Sequence, residues 1–544
     1  MTDTMILVGP LLIVAVGGLA MMLVDAFTEQ KAELSIVTAV ILASAAAMSL
    51  GLWFNGPEVE SSGMIGSYLA YDKLAHFLDL VICSGSALAS LLAGGYLREH
   101  RLERGEFYVL LLFSAFGAMV LGRATNLLSL FIGLETLSLG IYGLVAYRRA
   151  SPRAVEGALK YFLLGSFASA ILLFGMALLY GATGQTGLAE IAAGVAEIAD
   201  GGAESAGEAN LLSVAMLLMV VGLAFKVSAV PFHAWAPDAY EGAITPATTF
   251  MAVVVKAAVF GVMIRVFLET FAHDAVANAD SGWPPALAAL SALTLIVGNL
   301  AALGQKSVKR MLAYSSISNA GFILMGFVAA WKLDGGIGLS AVLYYLAAYT
   351  AGNVLTFGSL ILVGSHGKEA VSYEDLAGVG RRHPWVAVPF TLGILSLMGF
   401  PPTAGFFAKY YVILASVNAG GGMLWLAVLA VLSSAVGAYY YLKVIVFLFM
   451  KNPEKDGPIA VPMRSGYVVA VLIACSYFVI RMGLTPDNYL ALVDLVGETG
   501  GENAVEWTSF LMDAGIAIVA GGAGAALSGL KSKADESDLE TMSA

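Results

Sequence analysis

Charge is scarce in this chain. Only 12% of its 544 residues are Asp, Glu, Lys or Arg, against 59% hydrophobic, and that is about half the charged share of an ordinary soluble domain. Such a chain cannot clothe a water-facing surface, which excludes a soluble globular protein and points to a bilayer. Cysteine is nearly absent. Cys83 and Cys475 both lie in apolar segments, are too few for iron–sulfur ligation or a disulfide framework, and read as small core residues. The six histidines are scattered, and there is no phosphate loop, nucleophile constellation or metal-ligand cluster, so no cofactor is expected in this chain. MTDTMILVGP lacks a basic leader and a small-residue cleavage site, so the first apolar segment is expected to remain as a helix. Alternating ten-residue segments, the mark of a membrane β-barrel, are missing too. The net charge of −11 comes from acidic loops and an acidic tail and argues against a nucleic-acid partner.

What the chain does have is long apolar runs of about 20 residues, enough to cross about 30 Å of hydrocarbon as helices. They can be drawn at 5–26, 34–54, 74–97, 107–122, 126–147, 158–182, 211–236, 244–268, 285–303, 311–331, 339–364, 385–418, 423–450 and 465–484. The predicted fold class is therefore an all-α polytopic membrane protein of fourteen spans. Phe510–Leu530, flanked by Lys531 and Lys533, is a candidate fifteenth, which would put the C-terminus in the cytoplasm.

Basic residues resist translocation and so report sidedness. Lys31, Arg98, Arg101, Arg104, Arg148, Arg149, Arg153, Lys306, Lys309, Arg310, Lys368, Arg381, Arg382, Lys451, Lys455 and Arg464 fall on one side of a fourteen-span drawing; Lys73, Arg123, Lys332 and Arg481 fall on the other. This bias predicts an N-terminus on the outer side and an acidic outer loop over 183–210.

Some charges sit where they are costly. Glu135, Lys256 and Lys409 lie close to the middle of apolar runs, where an ionisable group costs about 2.5–3.5 kcal/mol unless it meets a partner or water. Lys226 stands in GLAFKVSAVPFHAWAPD, before Pro231 and His233. Proline removes a backbone hydrogen bond and clashes with the turn before it, so this helix is expected to break beside the lysine. The pattern recurs where Pro401 and Pro402 precede Lys409 in LMGFPPTAGFFAKYY. Paired broken helices in two halves of a membrane chain point to an inverted-repeat transport fold, and a carboxylate with several lysines suits proton transfer. Arg265 and Lys443 are near helix ends and are expected to snorkel to the headgroups, while Lys160 opens its helix on the basic side.

Five segments carry a resemblance to a known family: FIGLETLSLGIYGL around Glu135, EGALKYFLLGSFASAILLFGMALLYGATG from Glu156, FKVSAVPFHAWAPDAYEGAITPATTFMAVVVK from Phe225, QKSVKRMLAYSSISNAGF from Gln305 and GFPPTAGFFAKYYV from Gly399. Over roughly residues 5–495 the chain resembles the antiporter-like subunits of respiratory complex I, in particular their N type. The resemblance implies a proton channel made of two inverted five-helix repeats, spans 4–8 (107–270) and 9–13 (285–450). These would be preceded by an N-terminal unit (1–106) and followed by span 14 (451–500) and a C-terminal segment (501–544). It implies that Glu135 pairs with Lys226, that Lys256 continues a central polar axis, and that Lys409 sits in the second broken helix. Lys160 and His233 would be accessory polar positions, with Pro231, Pro401 and Pro402 at the breaks. NADH, FMN, iron–sulfur clusters and quinone would belong to partner subunits of the membrane and peripheral arms, and the location would be a bacterial inner membrane. In YSSISNAGF, Asn319 stands where many relatives have histidine, so no titratable relay is expected there. A subunit of a multi-subunit sodium/proton antiporter shares the lysines and the breaks and is the alternative; a purely structural membrane subunit is a third reading.

Overall fold

The computed structural model describes residues 2–28, 31–55, 65–201, 206–274, 276–278, 282–364, 369–453, 463, 465–494 and 496, together with Asp513, Ile516, Ala517, Ala520 and Gly521. The described residues form helices without a named strand. In chain order these are α1 (Thr2–Phe27), α2 (Leu34–Asn55), α3 (Lys73–Glu99), α4 (Glu106–Gly122), α5 (Leu127–Val145), α6 (Pro152–Thr183), α7 (Leu188–Asp200), α8 (Ala206–Lys226) and α9 (Ala236–Gly242). They continue with α10 (Thr245–Thr270), then α11 (Trp283–Leu303), α12 (Val308–Lys332), α13 (Gly336–Val363), α14 (Pro384–Met398), α15 (Ala404–Asn418), α16 (Leu424–Phe449), α17 (Gly466–Leu484) and α18 (Pro486–Asp494).

Among the described residues, twelve helices are long and apolar enough to cross a membrane, and the shorter α4 and α14 are apolar as well. With α8–α9 and α14–α15 each taken as one interrupted crossing, all fourteen expected spans have a helix at their positions. Among the described residues, the connections fall into two sets, each with its own hydrogen bonds. On one face, Val308 N donates to Val371 O and the Tyr147 hydroxyl donates to Leu102 O and Arg104 O. On the other, Thr125 N donates to Tyr68 O and Leu188 N to Thr125 O. The first set carries the arginine- and lysine-rich connections and is called the basic face below.

Burial is uneven. The central stretches of α10, α12 and α13 are 94, 94 and 89% buried, whereas those of α1, α6 and α16 are 33–39% buried, so three helices form the interior and the rest shield it. Because hydrocarbon offers no hydrophobic drive between helices, close approach depends on small residues. Gly117 on α4 and Gly133 on α5 show this: a Cβ on Gly117 would lie 2.3 Å from Leu137 N, and one on Gly133 would lie 2.6 Å from Leu121 N.

Two elements differ from expectation. The acidic loop drawn over 183–210 contains α7, whose Leu188, Ile191, Val195 and Ile198 are buried. Their spacing of three and four residues gives one apolar face, so α7 lies against the bundle although its composition is acidic. The candidate fifteenth span, Phe510–Leu530, lies mostly outside the described residues. Of the part described, Asp513 accepts from Tyr477 Oη at 2.6 Å, Tyr489 Oη at 2.8 Å and Arg481 Nε at 3.0 Å.

Candidate functional site

The first break lies between α8 and α9. Ser228 adopts a left-handed backbone (φ 61°), Pro231 supplies no N–H, and the chain re-enters a helix only at Ala236. The polar groups freed by the break find local partners, as burial demands. Phe225 O accepts from Ser228 N at 3.0 Å and from Trp235 Nε1 at 3.0 Å, and Val230 N donates to Thr294 Oγ1 at 2.9 Å on α11. Lys226, the last residue of α8, is 3% exposed, and its Nζ donates to Ser138 Oγ at 2.8 Å. Ser138 is on α5, three residues after Glu135, so both face the same way. Glu135 is half-buried, and its Oε1 is enclosed without a hydrogen-bond partner. Direct pairing of Glu135 with Lys226 was expected; among the described residues no ion pair within 4 Å joins them, and a serine stands at the lysine instead. His233 is half-buried in the break with its Nδ1 unpartnered, and Pro231 is exposed.

Lys256 comes next, inward on α10. The helix is π-wound over Met251–Val255, just before the lysine, and again over Ile264–Thr270; such segments often occur at functional positions. Lys256 Nζ donates to Ser316 O, to Ser316 Oγ at 2.6 Å and to Tyr349 Oη at 3.1 Å. Tyr349 on α13 also donates to Ser316 Oγ at 2.8 Å, and Tyr240 on α9 reaches the same hydroxyl at 3.2 Å. The polar line continues along α12. Ser315 bonds Tyr441 Oη, Asn319 Nδ2 donates to Ser315 O at 2.8 Å, and Tyr345 Oη donates to Asn319 Oδ1 at 2.6 Å. Asn319, the departure from the family pattern, is thus a hydrogen-bonding bridge in this line.

The second break lies between α14 and α15, with Gly399 at φ 84°. Lys409 is in the second turn of α15, and its Nζ donates back across the gap to Met398 O at 2.9 Å, over the Phe322 ring at 4.7 Å. Glycine is needed at 399 for a second reason: a Cβ there would lie 2.9 Å from Lys409 Cδ, blocking the path of the lysine. Pro401 and Pro402 are exposed in the break.

Ion pairs gather nearer the two faces. Lys160 is 43% exposed on the basic face and bridges Glu156 Oε1 at 2.6 Å and Asp238 Oδ2 at 2.7 Å; Arg310 joins the same Asp238 at 2.5 Å and Glu241 at 3.2 Å. Toward the opposite face Arg123 and Asp79, both fully buried, pair at 2.5 Å, with Ser49 Oγ donating to the same carboxylate at 3.1 Å. Arg265 does not snorkel: it is 2% exposed and grips Asp72 through both NH groups at 2.8 Å while Nε donates to Gly122 O at 3.0 Å. Burial pushes the Asp72 carboxyl up, but Arg265 more than offsets this and brings it to about 2. Lys443 is half-buried and lies over the ring of Tyr373, in the basic-face connection after α13, at 4.2 Å. The Asp79–Arg123 pair was missed from sequence; the available signal was an aspartate inside the apolar run of the third span.

Lys226 and Lys256 are buried and Lys409 is half-buried, each bonded to hydroxyls or backbone carbonyls, and among the described residues no carboxylate lies within ion-pair distance of any of the three. This arrangement can pass protons. Among the described residues, no group of three or more His, Cys, Asp or Glu is placed to hold a metal ion.

This fold and this line of lysines define a class of membrane subunit. Residues 124–436 match the family described as NADH:quinone oxidoreductase/Mrp antiporter, transmembrane, and the chain belongs to that family. More particularly, its relatives include NADH-quinone oxidoreductase subunit N 1 of Sorangium cellulosum, 50% identical over 90% of this chain and 97% of the relative. Subunit N of Myxococcus xanthus is 37% identical over 91% and 97%. Among solved structures, a chain of respiratory complex I from Thermus thermophilus with bound Aureothin matches with a TM-score of 0.71 at 34% identity, covering 89% of this chain and 98% of that one. A chain of the Mrp complex from Dietzia, at 22% identity and a TM-score of 0.76, shares the fold.

Proposed function

We propose that this chain is a proton-translocating membrane-arm subunit of a complex I-like NADH:quinone oxidoreductase, in a bacterial inner membrane, with its basic face in the cytoplasm and its N-terminus outside. The carrying observation is that Lys226, Lys256 and Lys409 are held by hydroxyls and carbonyls alone. A lysine not locked in a contact ion pair gives up its proton more readily than one that is, because a contacting carboxylate stabilises the ammonium. The similarity to subunit N relatives supports this reading over the antiporter alternative. NADH, FMN, iron–sulfur clusters and quinone would be bound by other subunits.

Helices α4–α10 and α11–α16 serve in this reading as two inverted five-span repeats. In each set the first two spans pack as a hairpin and the third lies along the broken one. Glu135 and Lys226 form a pair that closes when the Lys226 ammonium leaves Ser138 for the unpartnered Glu135 oxygen. Closing the pair favours the charged lysine, opening it releases a proton toward Lys256, and redox work in the partner subunits drives the change. Lys160 and its carboxylate partners mark the cytoplasmic side of the first repeat.

The test uses the purified complex in proteoliposomes, with protons moved per quinone reduced as the readout. Lys226→Ala and Glu135→Gln should each lower that ratio strongly while the complex still assembles. Lys226→Arg should not restore it, since guanidinium keeps its proton. A normal ratio in both variants would leave the pair with a structural role only.

A further inference from the structure

A second group of titratable side chains lies on the basic face, away from Lys160, where α3, α10, α12 and the connection after α13 meet. Glu369 enters from that connection and is largely buried. Its Oε1 accepts from Thr245 N at 3.2 Å and Thr245 Oγ1 at 2.7 Å, at the first residue of α10. Its Oε2 stands 3.5 Å from Lys309 Nζ, and that fully buried lysine also donates to Ala243 O at 2.6 Å, just past the end of α9. Two further polar atoms are enclosed there without hydrogen-bond partners, Tyr96 Oη and His100 Nε2. Their rings stack at 4.0 Å, and His100 Nδ1 is 2.9 Å from Tyr96 O. The Tyr96 hydroxyl lies beside the Glu369 carboxylate, outside hydrogen-bond geometry, and Glu369 and Arg148 act electrostatically on both Tyr96 and His100, with Glu99 also acting on His100.

Resting on the reading of Lys256 as a proton carrier, we propose that Glu369, with His100 and Tyr96, is a proton-uptake cluster that supplies Lys256 along the first turns of α10, a route separate from the Lys160 side. Polar groups line this way in two stretches, one at the start of α10 and one at Lys256. Thr249 Oγ1 donates to Thr245 O at 2.9 Å, Thr248 Oγ1 donates to Tyr240 O at 3.0 Å, and the Tyr240 hydroxyl meets Ser316 Oγ, which receives Lys256. From Thr249 to Lys256 the helix rises about 10 Å at 1.5 Å per residue, an interval that bridging water would cross to reach the Tyr240 and Ser316 hydroxyls. A proton would pass from the basic face by way of His100 to a Glu369 oxygen, and on through the hydroxyls and intervening water to a neutral Lys256 amine, with only N–H and O–H bonds made and broken.

Lys309 makes the cluster responsive to the broken helix. Burial pushes the Glu369 carboxyl up, but Lys309 and the hydrogen bonds around it hold it below the usual range. Because the same ammonium is bonded to Ala243 O, a movement of α9 that draws Lys309 away from Glu369 removes the offsetting charge and leaves burial to raise the carboxyl's proton affinity. Uptake is then tied to the position of the first break.

The experiment compares Glu369→Gln, Tyr96→Phe and Lys256→Met in the intact complex in proteoliposomes, measuring protons per quinone reduced from acid to alkaline pH. Glu369→Gln keeps the acceptor for Thr245 and loses titration, so coupled translocation should fall at least about tenfold near neutral pH, less at acid pH, where bulk protons are more abundant. Tyr96→Phe removes the hydroxyl beside the Glu369 carboxylate and keeps the ring stacked on His100, so packing should persist, and protons per quinone reduced should fall by less than in Glu369→Gln. An assembled Glu369→Gln with a normal ratio and an unshifted pH profile, beside an inactive Lys256→Met, overturns the uptake cluster and leaves the function standing; a normal Lys256→Met overturns the function reading itself. Should Glu369→Gln fail to assemble, an unchanged ratio in Tyr96→Phe overturns the proposal and a lowered one upholds it.

Discussion

The charges set into the helical bundle fall into two populations. Toward the faces, Arg123 holds Asp79, Arg265 holds Asp72 and Lys309 is shared with Glu369, each cation within 3.5 Å of a carboxylate. In the middle, Lys226, Lys256 and Lys409 touch hydroxyls, backbone carbonyls and aromatic rings. The difference teaches which charges can move. A guanidinium clamped on a carboxylate never deprotonates under ordinary conditions and closes the face opposite the basic one with a fixed charge. An ammonium hydrogen-bonded only to neutral dipoles is not held in its charged form by a contacting carboxylate. The Arg123 and Arg265 pairs therefore read as fastenings of α3 to α4 and α10, and the central lysines as carriers.

The sharpest way to break this comparison is at Lys256. Lys256→Arg retains the charge and the donors to Ser316 but not the ability to release a proton. Protons moved per quinone reduced should drop at least about tenfold, as for a lost general acid or base, while quinone reduction and assembly persist. A fully pumping Lys256→Arg would move this lysine into the structural population.

At Asp79 the opposite outcome is expected. Asp79→Asn leaves Arg123 buried and unpaired, a change that typically costs about 3–5 kcal/mol, seen as a lowered unfolding midpoint of the purified complex or as less assembled complex. Replacing both partners with leucine should recover much of that loss, because two well-packed apolar groups avoid the desolvation of either charge. In whatever fraction assembles, the proton ratio should be normal; a stable but uncoupled variant would place the pair among the carriers.

The smallest effect is at Asp72. Its folded value of about 2 lies below the ordinary 3.8, so its stabilising contribution is complete above about pH 4 and is lost as pH falls through 2. Its side chain is 49% exposed, so solvent screening limits the contribution to about 1 kcal/mol. The difference in unfolding midpoint between the native chain and Asp72→Asn should shrink toward zero over that acid range.

The crossings and their order were legible in the sequence because each spanning helix must be apolar for about 20 residues, whatever it packs against. The two breaks were legible for a related reason: Pro231 and the Pro401–Pro402 pair cannot continue a helical hydrogen-bond ladder wherever they stand. Glu135, Lys226, Lys256 and Lys409 stood out because an ionisable residue in an apolar run is rare enough to need a reason. α7 was hidden behind its acidic composition, although its apolar spacing was present. What only the tertiary structure decided was partnership. That Lys226 meets Ser138 across 88 residues of chain, that Lys256 meets Ser316 and Tyr349, that Arg265 turns inward to Asp72, and that Glu369 caps α10 beside Lys309 all depend on how helices distant in sequence are rotated against one another. Hydropathy constrains how long each helix must be, while rotation is set by packing between neighbours, so the presence of a buried charge could be read from the chain but its partner could not.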